Sequence, residues 1–522
     1  MVSGKPKTML IPLSIYCVCI STVFAETPPP HESMLSIDLV DFPKFIDPAA
    51  NMNNSGWYLL SSTSATLFDM AEDQSLRGVL AESWSAYDGG RRFRVTVRED
   101  AFFHDGSRIT AEDIVFSFKR KQINWPDYPV YQWINPKKNQ DSIRIIGSRT
   151  IEFQLDRPYD YFLYLLALPG TGVVPKAIYP LHSLYHPEKL PILGGPYRIV
   201  EWKRNDYLKL RWHDKWFEPI GKRPSTIVVY ERKDPEALDR FVAGETHLFL
   251  DRYDRIIDTP GLFDKLTALG IHSFVPQMNN VYVAYLNAVS GSFKNKELRE
   301  AFAALLRLFL QEQNSVLDVR IPADQFFPPG YSGRVVVRTR PSSDFEEVYA
   351  RLRREPVTLR YMFPDTWTMD EMERRRISFL ARYGFNVEVH KASFSQMKEN
   401  RLKGEGFDFG FLFIPVPPGD PCLVFSLDFG PDDFYIPDPN DGTLYNMIDK
   451  AATLSRASER VQLAKDINRY LVTESFIVPL FFMSHPLFAK KTVDFSATPK
   501  WLFSIKFADL RVASDVDQHE SN

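Results

Sequence analysis

Apolar and polar residues alternate along several short stretches of this chain, and a period of two is typical of half-buried β-strands. In the clearest stretch, Phe93, Val95 and Val97 alternate with arginine and threonine side chains. Gly147 and Ser148 interrupt a second alternating stretch, which predicts a hairpin at that point. Further strands are predicted at residues 143–145, 151–155, 208–212, 227–230, 281–287 and 477–481.

Apolar residues recur at helical spacing in two later segments. The first, at residues 298–309, follows Asn295, a residue type that commonly caps helices. The second, at residues 463–471, predicts a late helix. Between them strands and helices alternate as β-α-β-α-β, which predicts an α/β fold. These five elements are predicted at residues 358–362, 369–383, 385–389, 394–402 and 407–414.

The first 25 residues have the pattern of a secretory signal peptide. Lys5 and Lys7 precede an apolar run at residues 9–24, and a signal peptidase is expected to cleave after Ala25. The run of about 16 residues is shorter than the ~20 that a membrane-spanning helix needs. Cleavage would leave Cys422 as the single thiol of an exported chain. Core burial rather than disulfide bonds must then stabilise the fold.

Composition and motifs exclude several classes of function. The 63 basic residues are balanced by 66 acidic ones, whereas nucleic-acid binding favours a strongly basic face. No nucleophile elbow, zinc-binding HExxH helix or phosphate-binding glycine loop occurs, so the sequence predicts neither an enzyme nor a cofactor. His182 and His186 have a spacing that could serve a metal, but an ordinary surface helix end is the stronger expectation. No metal site is predicted.

One region carries a distinctive set of motifs. Residues 80–84 read Leu-Ala-Glu-Ser-Trp, residues 103–106 read Phe-His-Asp-Gly, and residues 110–117 read Thr-Ala-Glu-Asp-Ile-Val-Phe-Ser. The Asp-Gly pair predicts a turn, and Thr110 with Asp113 forms a capping box at a helix start. This series closely resembles the signature of the periplasmic peptide-binding proteins that serve ABC importers, extracellular solute-binding protein family 5.

The resemblance implies a two-lobe α/β fold, the type II periplasmic-binding-protein fold with mixed sheets flanked by helices. Lobe I would comprise residues 26–275 and 486–522, with an extra subdomain at 62–186, and lobe II residues 276–485. A peptide or another small polar solute would bind between the lobes. The closed form would then dock an inner-membrane permease whose ATPase drives uptake. The resemblance also implies a monomer in the periplasm of a Gram-negative cell.

The resemblance also suggests where a solute would bind. In the di- and oligopeptide binders an aspartate pairs with the α-amine of the ligand, but Pro417 stands at that position here. Asp420 is close enough in sequence to substitute for it, although a turn residue is an equally good interpretation. Candidate ligand-binding residues are Asp420, Tyr282, Tyr285, Asn287 and Trp367, with core packing as the alternative for the tyrosines.

Several alternatives remain open on these grounds. The solute could be an oligosaccharide or a modified or cyclic peptide, since the expected aspartate is missing. The chain could also be a ligand-sensing protein or a docking protein of the same fold, and a hydrolase is the third other class, although no catalytic motif favours it.

Overall fold

The computed structural model describes most of the chain between residues 33 and 512. The gaps within that range are residues 40–41, 51–53, 72, 127, 136–139, 187, 233–235, 251–255, 257–258, 260, 278, 312–319, 366–368, 370, 418, 430–441, 452 and 500–504. The predicted signal peptide therefore lies outside the described residues.

A seven-stranded mixed sheet forms the centre of the first body, which we call lobe I. Its middle strand, β1 (Met34–Leu39), pairs in parallel with β10 (Thr226–Glu231) and β11 (Leu248–Leu250). The outer strands pair antiparallel, and the side chains of β1 are buried almost throughout. The order across the sheet is β12 (His272–Phe274), β19 (Leu487–Ala489), β11, β1, β10, β9 (Tyr207–Trp212) and β8 (Tyr197–Lys203).

A four-stranded antiparallel sheet forms the extra subdomain of lobe I. Phe93, Val95 and Val97 are buried in it, as their alternation predicts. Thr110 caps the helix Ala111–Asn124, because its Oγ1 accepts from the Asp113 N–H at 3.3 Å and its own N–H donates to Asp113 Oδ2 at 2.9 Å. The strands, in spatial order, are β4 (Ala81–Tyr87), β5 (Arg92–Val97), β7 (Thr150–Gln154) and β6 (Ile143–Ile145).

A six-stranded mixed sheet forms the centre of the second body, lobe II. β13 (Asn280–Leu286) pairs antiparallel with both of its neighbours, and β15 (Val357–Pro364) pairs in parallel with both of its own. These pairings confirm the β-α-β-α-β series. The order is β14 (Arg320–Pro322), β18 (Ile477–Met483), β13, β17 (Phe409–Pro415), β15 and β16 (Phe385–Ala392).

Helices pack on these sheets, and two small two-stranded sheets complete the described strands. The helices are α1 (Asn54–Thr63), α2 (Ala111–Asn124), α3 (Phe162–Leu165), α4 (Glu236–Val242), α5 (Leu262–Ala268), α6 (Lys296–Gln311), α7 (Glu346–Arg354), α8 (Glu371–Ala381), α9 (Phe394–Lys403), α10 (Leu423–Asp428), α11 (Thr443–Ala451) and α12 (Ala457–Thr473). The hairpin of β2 (Phe68–Met70) and β3 (Leu76–Gly78) is one of these sheets, and β20 (Val493–Asp494) with β21 (Arg511–Val512) is the other.

The chain passes from lobe I to lobe II between Phe274 at the end of β12 and Asn280 at the start of β13. It returns between Met483 at the end of β18 and Leu487 at the start of β19. Both connections are short, and β13 pairs directly with β18 in the lobe II sheet. The two crossings therefore lie side by side, the arrangement that a hinge between lobes needs.

One strand was not expected from the sequence, and one local expectation is wrong. Helix α1 ends at Thr63, and Phe68 begins β2, where it pairs with Gly78. His182 and His186 lie in a segment without regular structure rather than at a helix end. Residue types alone could not give either result, because a partner strand decides the first and loop packing the second.

Candidate functional site

Lobe II contacts the extra subdomain through a buried charged cluster. The Tyr159 hydroxyl of the subdomain donates to Oδ2 of Asp420 in lobe II at 2.6 Å. Arg460 donates to the same oxygen from Nη2 at 2.6 Å and from Nε at 3.0 Å. The Cys422 N–H donates to Oδ1 at 2.9 Å. The Asp420 carboxylate thus accepts four hydrogen bonds, and its residue is 2% exposed.

The protonation states in this cluster follow from burial and from the charge of Asp420. Burial, and then the Asp420 carboxylate, raise the pKa of Tyr159 well above its ordinary value, so its hydroxyl remains a donor. Burial acts to lower the pKa of Arg460, but Asp420 outweighs it and the pKa is raised. Arg460 also donates from Nη1 to the carbonyl oxygens of Ala451 and Leu454. A buried ion pair needs such additional hydrogen bonds to offset its desolvation.

Aromatic rings of the subdomain enclose this ion pair. Trp133 and Tyr159 stack face to face with their centroids 3.7 Å apart. The Arg460 guanidinium lies 5.4 Å from the Trp133 centroid and 4.9 Å from that of Tyr159. A cation that is desolvated beside aromatic faces gains electrostatic stabilisation from the rings.

Further contacts join the same two surfaces. The Asp160 N–H donates to the Ser455 carbonyl at 3.2 Å, and its Oδ2 accepts from the Ala457 N–H at 2.9 Å. Leu423 of lobe II packs within the apolar core of the subdomain. We use the name interlobe contact for this whole set, which comprises Trp133, Tyr159 and Asp160 on one side and Asp420, Ser455, Ala457 and Arg460 on the other.

The segment that follows β17 runs from the crossings to the interlobe contact. At one end Pro415 pairs with Asn280, and the Val416 N–H donates to the Asn279 carbonyl at 2.7 Å. At the other end Asp420 meets Tyr159. The segment therefore follows the boundary between the lobes, and clefts between domains are common binding sites. This boundary is the candidate site.

An aromatic patch on lobe II lies beside the start of this segment. The Tyr282 ring is 4.5 Å from that of Phe413 and 4.8 Å from that of Phe481, measured between centroids. Phe413 is 43% exposed, whereas Tyr282 is 6% exposed. An exposed phenylalanine beside a domain boundary offers an apolar surface to a solute.

The charge beneath this patch is compensated within the protein. Arg376 donates from Nη1 to Glu373 Oε1 at 2.9 Å and to the Tyr282 hydroxyl at 3.4 Å, and its guanidinium lies 4.2 Å from the Phe411 centroid. Burial acts to lower the pKa of Arg376, but Tyr282 and Glu373 outweigh it and raise the pKa. Arg376 therefore stays charged and supports the patch from below.

The structure separates the predicted ligand-binding residues rather than bringing all of them together. Tyr282 lies in the aromatic patch and Asp420 in the interlobe contact. Tyr285 is fully buried on the opposite face of β13, where its ring packs over Gly410. Trp367 lies outside the described residues.

Asn287 is also fully buried, and its amide is used within lobe II. Its Nδ2 donates to the carbonyl oxygens of Gly404 and Phe407, each at 2.9 Å, and its Oδ1 accepts from the Val289 N–H at 3.2 Å. Contact of Asn287 or Tyr285 with a solute stays a prediction, and these contacts favour a structural role for both residues.

Sequence reasoning missed the residues that complete the interlobe contact. Trp133, Tyr159 and Arg460 carry no motif, and Tyr159 is 261 positions from its partner Asp420. The Asp-Pro pair at residues 420–421 was the only signal in this region, and it indicates a turn rather than an ion pair.

Two other kinds of site find no support in the described ranges. Those residues contain no cluster of histidine, cysteine and carboxylate side chains that could hold a metal ion. Among the same residues, none of the helices combines the length and apolar character needed to span a bilayer.

The His104 turn belongs to the scaffold. Its Nε2 lies 3.0 Å from the Gly195 carbonyl oxygen, and Nδ1 accepts from the Leu193 N–H at 3.4 Å. Burial lowers the pKa of His104 to about 3, so the imidazole is neutral at ordinary pH.

Comparison with known proteins supports the family resemblance that the sequence motifs indicate. The family model of bacterial extracellular solute-binding proteins, family 5 Middle, matches residues 75–334. The probable D,D-dipeptide-binding periplasmic protein DdpA of Escherichia coli K12 is 22% identical over 491 residues, which cover 88% of this chain and 91% of that protein.

Solved structures share the fold along nearly the whole length. NikA from Brucella suis, in complex with Fe(III)-EDTA, has a TM-score of 0.80 at 18% identity, covering 92% of this chain and 100% of that chain. A dipeptide-binding protein from Pseudoalteromonas sp. SM9913, in complex with Met-Leu, has a TM-score of 0.73 at 14% identity, covering 92% of this chain and 100% of that chain. These likenesses establish the two-lobe periplasmic-binding-protein fold. The chain belongs to the bacterial extracellular solute-binding proteins of family 5.

Proposed function

We propose that this protein is the periplasmic receptor of an ABC importer, and that it binds a peptide or peptide-like solute between its lobes. One observation carries the proposal. The two chain crossings lie side by side at one end of the boundary between the lobes, and the buried interlobe contact lies at the other end. A solute between them is enclosed when Asp420 and Arg460 meet Tyr159. Closure around a solute requires only that the solute bind the closed form more tightly than the open form.

The family membership supports the transport role, and the relatives support the solute class. DdpA of Escherichia coli is described as a probable D,D-dipeptide-binding protein, and the Pseudoalteromonas structure holds Met-Leu. In this role the receptor delivers its solute to a permease and its ATPase. The proposal also includes export directed by residues 1–25 and a monomeric receptor. The proposed lobes are residues 26–275 with 486–522, and residues 276–485.

A non-peptide or blocked solute is the second candidate, and two observations favour it. Pro417 is buried and has no charge to offer an α-amine. Asp420 already accepts four hydrogen bonds, so pairing with a ligand ammonium would break contacts that neutralise Arg460. NikA, which shares the fold, holds Fe(III)-EDTA rather than a peptide. A solute without a free α-amine fits both observations.

We place the solute against the aromatic patch, with Phe413 and Tyr282 as contacts and Trp367 as a further candidate. Phe413→Ala tests this placement. Native mass spectrometry of the gently purified protein identifies the retained solute, and calorimetry then measures its affinity. We expect Phe413→Ala to weaken binding roughly tenfold, because it removes most of an exposed aromatic surface.

The matched control is Leu402→Ala on α9, where the leucine is 46% exposed. Leu402→Ala should leave the affinity unchanged. Equal affinities of Phe413→Ala and the unsubstituted protein would remove the patch from the site. Failure to find any solute among di- and tripeptides, N-acylated peptides and oligosaccharides would favour a docking protein instead.

A further inference from the structure

A cavity lies in lobe I, and all of the residues that line it belong to that lobe. It has a volume of about 300 Å³ and continues into a narrower part of about 60 Å³. Asp69 and Arg77 from the β2–β3 hairpin and Lys506 and Asp509 from the C-terminal segment line both parts. The cavity therefore lies where the extra subdomain, the lobe I sheet and the C-terminal segment meet.

Charged side chains from separate parts of the chain converge on this cavity. Four are cationic and three are carboxylates, namely Arg77, Arg223, Lys506 and Arg511, with Asp69, Glu218 and Asp509. Such convergence of both signs around an open volume suits a ligand that carries charges of its own.

Five of these groups, three cations and two carboxylates, form ion pairs with one another. Arg77 bridges Asp69 from Nη2 at 2.9 Å and Glu218 from Nη1 at 3.1 Å. Arg223 Nη2 pairs with Glu218 at 2.8 Å, and Lys506 pairs with Asp69. Although burial acts to raise it, the pKa of Asp69 is held below its ordinary value by Lys506 and Arg77. These five groups form the wall of the cavity and have little capacity left for a ligand.

Asp509 and Arg511 are different. Across the described residues, the Asp509 carboxylate has no hydrogen-bond donor, and burial raises its pKa to about 6 against the opposing effect of Lys506. Arg511 donates from Nη1 to the carbonyl oxygens of Ala508 and Leu510 at 2.9 and 3.0 Å. Among the residues that the structure describes, no carboxylate oxygen lies within 4 Å of the Arg511 guanidinium nitrogens. Its Nε and Nη2 groups are thus available donors.

The narrower part of the cavity is lined by one more polar side chain that has unused hydrogen-bonding capacity. Ser64 is 8% exposed, and its Oγ has no hydrogen-bond partner among the residues that the structure describes. A buried hydroxyl without a partner costs free energy unless a water molecule or a ligand group satisfies it. This position lines the same volume as Asp509.

We propose that this cavity binds a small zwitterion of the amino-acid type, whose ammonium pairs with Asp509 and whose carboxylate pairs with Arg511. A simple anion would leave the Asp509 carboxylate without a hydrogen-bond donor, and a simple cation would leave Nε and Nη2 of Arg511 without an acceptor. A zwitterion satisfies both groups and adds no net charge to the pairs in the wall. The volume is large enough for an amino acid with a side chain.

Calorimetry on the full mature chain tests the site with glycine and leucine as ligands and with acetate and methylammonium as single-charge controls. We expect both amino acids to bind, and each single-charge ion to bind roughly tenfold more weakly, because it forms only one of the two charge-assisted contacts. Binding should also weaken as the pH falls below about 6, because Asp509 then becomes protonated. The charged groups that face Asp509 are Lys506, Asp69, Arg77 and Arg511, which are not expected to change charge in that range.

Two substitutions assign the binding to this cavity. Asp509→Asn and Arg511→Gln should each weaken glycine binding roughly tenfold or more. Neither removes a side-chain ion pair of the wall. Asp509→Asn should keep the melting temperature of the unsubstituted chain, whereas Arg511→Gln also loses two hydrogen bonds to the Ala508 and Leu510 carbonyls and should lower it slightly. Glu371→Gln, at an exposed carboxylate on α8, is the matched control and should have no effect.

Either of two results overturns the proposal. One is the absence of binding heat with glycine and leucine up to about 10 mM, which corresponds to no site of useful affinity. The other is unchanged glycine affinity in both Asp509→Asn and Arg511→Gln, which would assign the amino acid to another place, including the boundary between the lobes.

Discussion

At the scale of single residues, Arg460 is a charged group in an almost fully buried environment. It is 2% exposed, and its charge is tolerated because Asp420 and two carbonyl oxygens accept its hydrogen bonds. Asp420 in turn depends on Arg460, Tyr159 and the Cys422 N–H. Each residue of the pair is therefore a structural requirement of the other, whatever else either one binds.

Asp420→Ala should destabilise the fold rather than act only on binding. Removal of the carboxylate leaves the Arg460 guanidinium buried without a counter-charge, which costs about 3–5 kcal/mol. Urea unfolding monitored by tryptophan fluorescence measures this loss. The double variant Asp420→Ala/Arg460→Met removes both buried charges, so it should recover most of the lost stability. A single Asp420→Ala variant as stable as the parent, but with weakened binding, would restore Asp420 as a ligand contact.

At the scale of elements, most of the strands and helices were predictable because their signals are local. The alternation at Phe93–Val97 and the capping box at Thr110 need no information from elsewhere in the chain. The β2 strand was not predictable, because its conformation depends on pairing with residues 76–78. The interlobe contact was out of reach for the same reason, since Tyr159 and Asp420 meet only after both lobes have formed.

Strand β17 shows how one glycine fixes an element in the core. A Cβ at Gly410 would overlap the hydroxyl and ring of Tyr285 on the neighbouring strand β13. The glycine thus lets a fully buried tyrosine lie across the sheet surface. Asn287 lies two residues after Tyr285, and its side-chain amide donates hydrogen bonds to the loop that precedes β17.

Gly410→Ala should lower the free energy of unfolding by about 1–3 kcal/mol, the usual cost of overpacking a core. Chemical denaturation measures this change. Gly147→Ala is the matched control, because its nearest neighbour would lie at an ordinary contact distance of 3.5 Å. In the double variant Gly410→Ala/Tyr285→Ala, the loss should be smaller than the sum of the single losses. Additive losses would show that Tyr285 does not limit the space at Gly410.

At the scale of the whole molecule, the proposed function makes the interlobe contact part of an equilibrium between separated and closed lobes. Tyr159 and Trp133 of the subdomain cover the Asp420–Arg460 pair of lobe II, so separation of the lobes would expose both charged groups to water together. The closed form is then stabilised by the Tyr159 hydrogen bond, by the two hydrogen bonds of Asp160 with Ser455 and Ala457, and by ring contacts with Trp133. A solute adds to these contacts, and the sum determines the fraction of closed protein.

Tyr159→Phe isolates the hydrogen bond between the lobes, because the phenylalanine ring can keep its stacking on Trp133. Loss of a hydrogen bond to a charged acceptor costs about 1.5–3 kcal/mol. If the solute binds only the closed form, affinity should fall by the same factor for every solute, since the change acts on closure and not on solute contacts. Small-angle scattering without solute should show a larger radius of gyration, and calorimetry with two different solutes should give equal ratios of variant to parent affinity.

The matched control is Tyr207→Phe. The Tyr207 hydroxyl donates to the exposed Glu201 within lobe I, so its loss should change neither the radius of gyration nor the affinity. Unequal ratios for the two solutes would instead make Tyr159 a direct solute contact, and an unchanged scattering profile with unchanged affinity would remove the interlobe contact from the closure equilibrium.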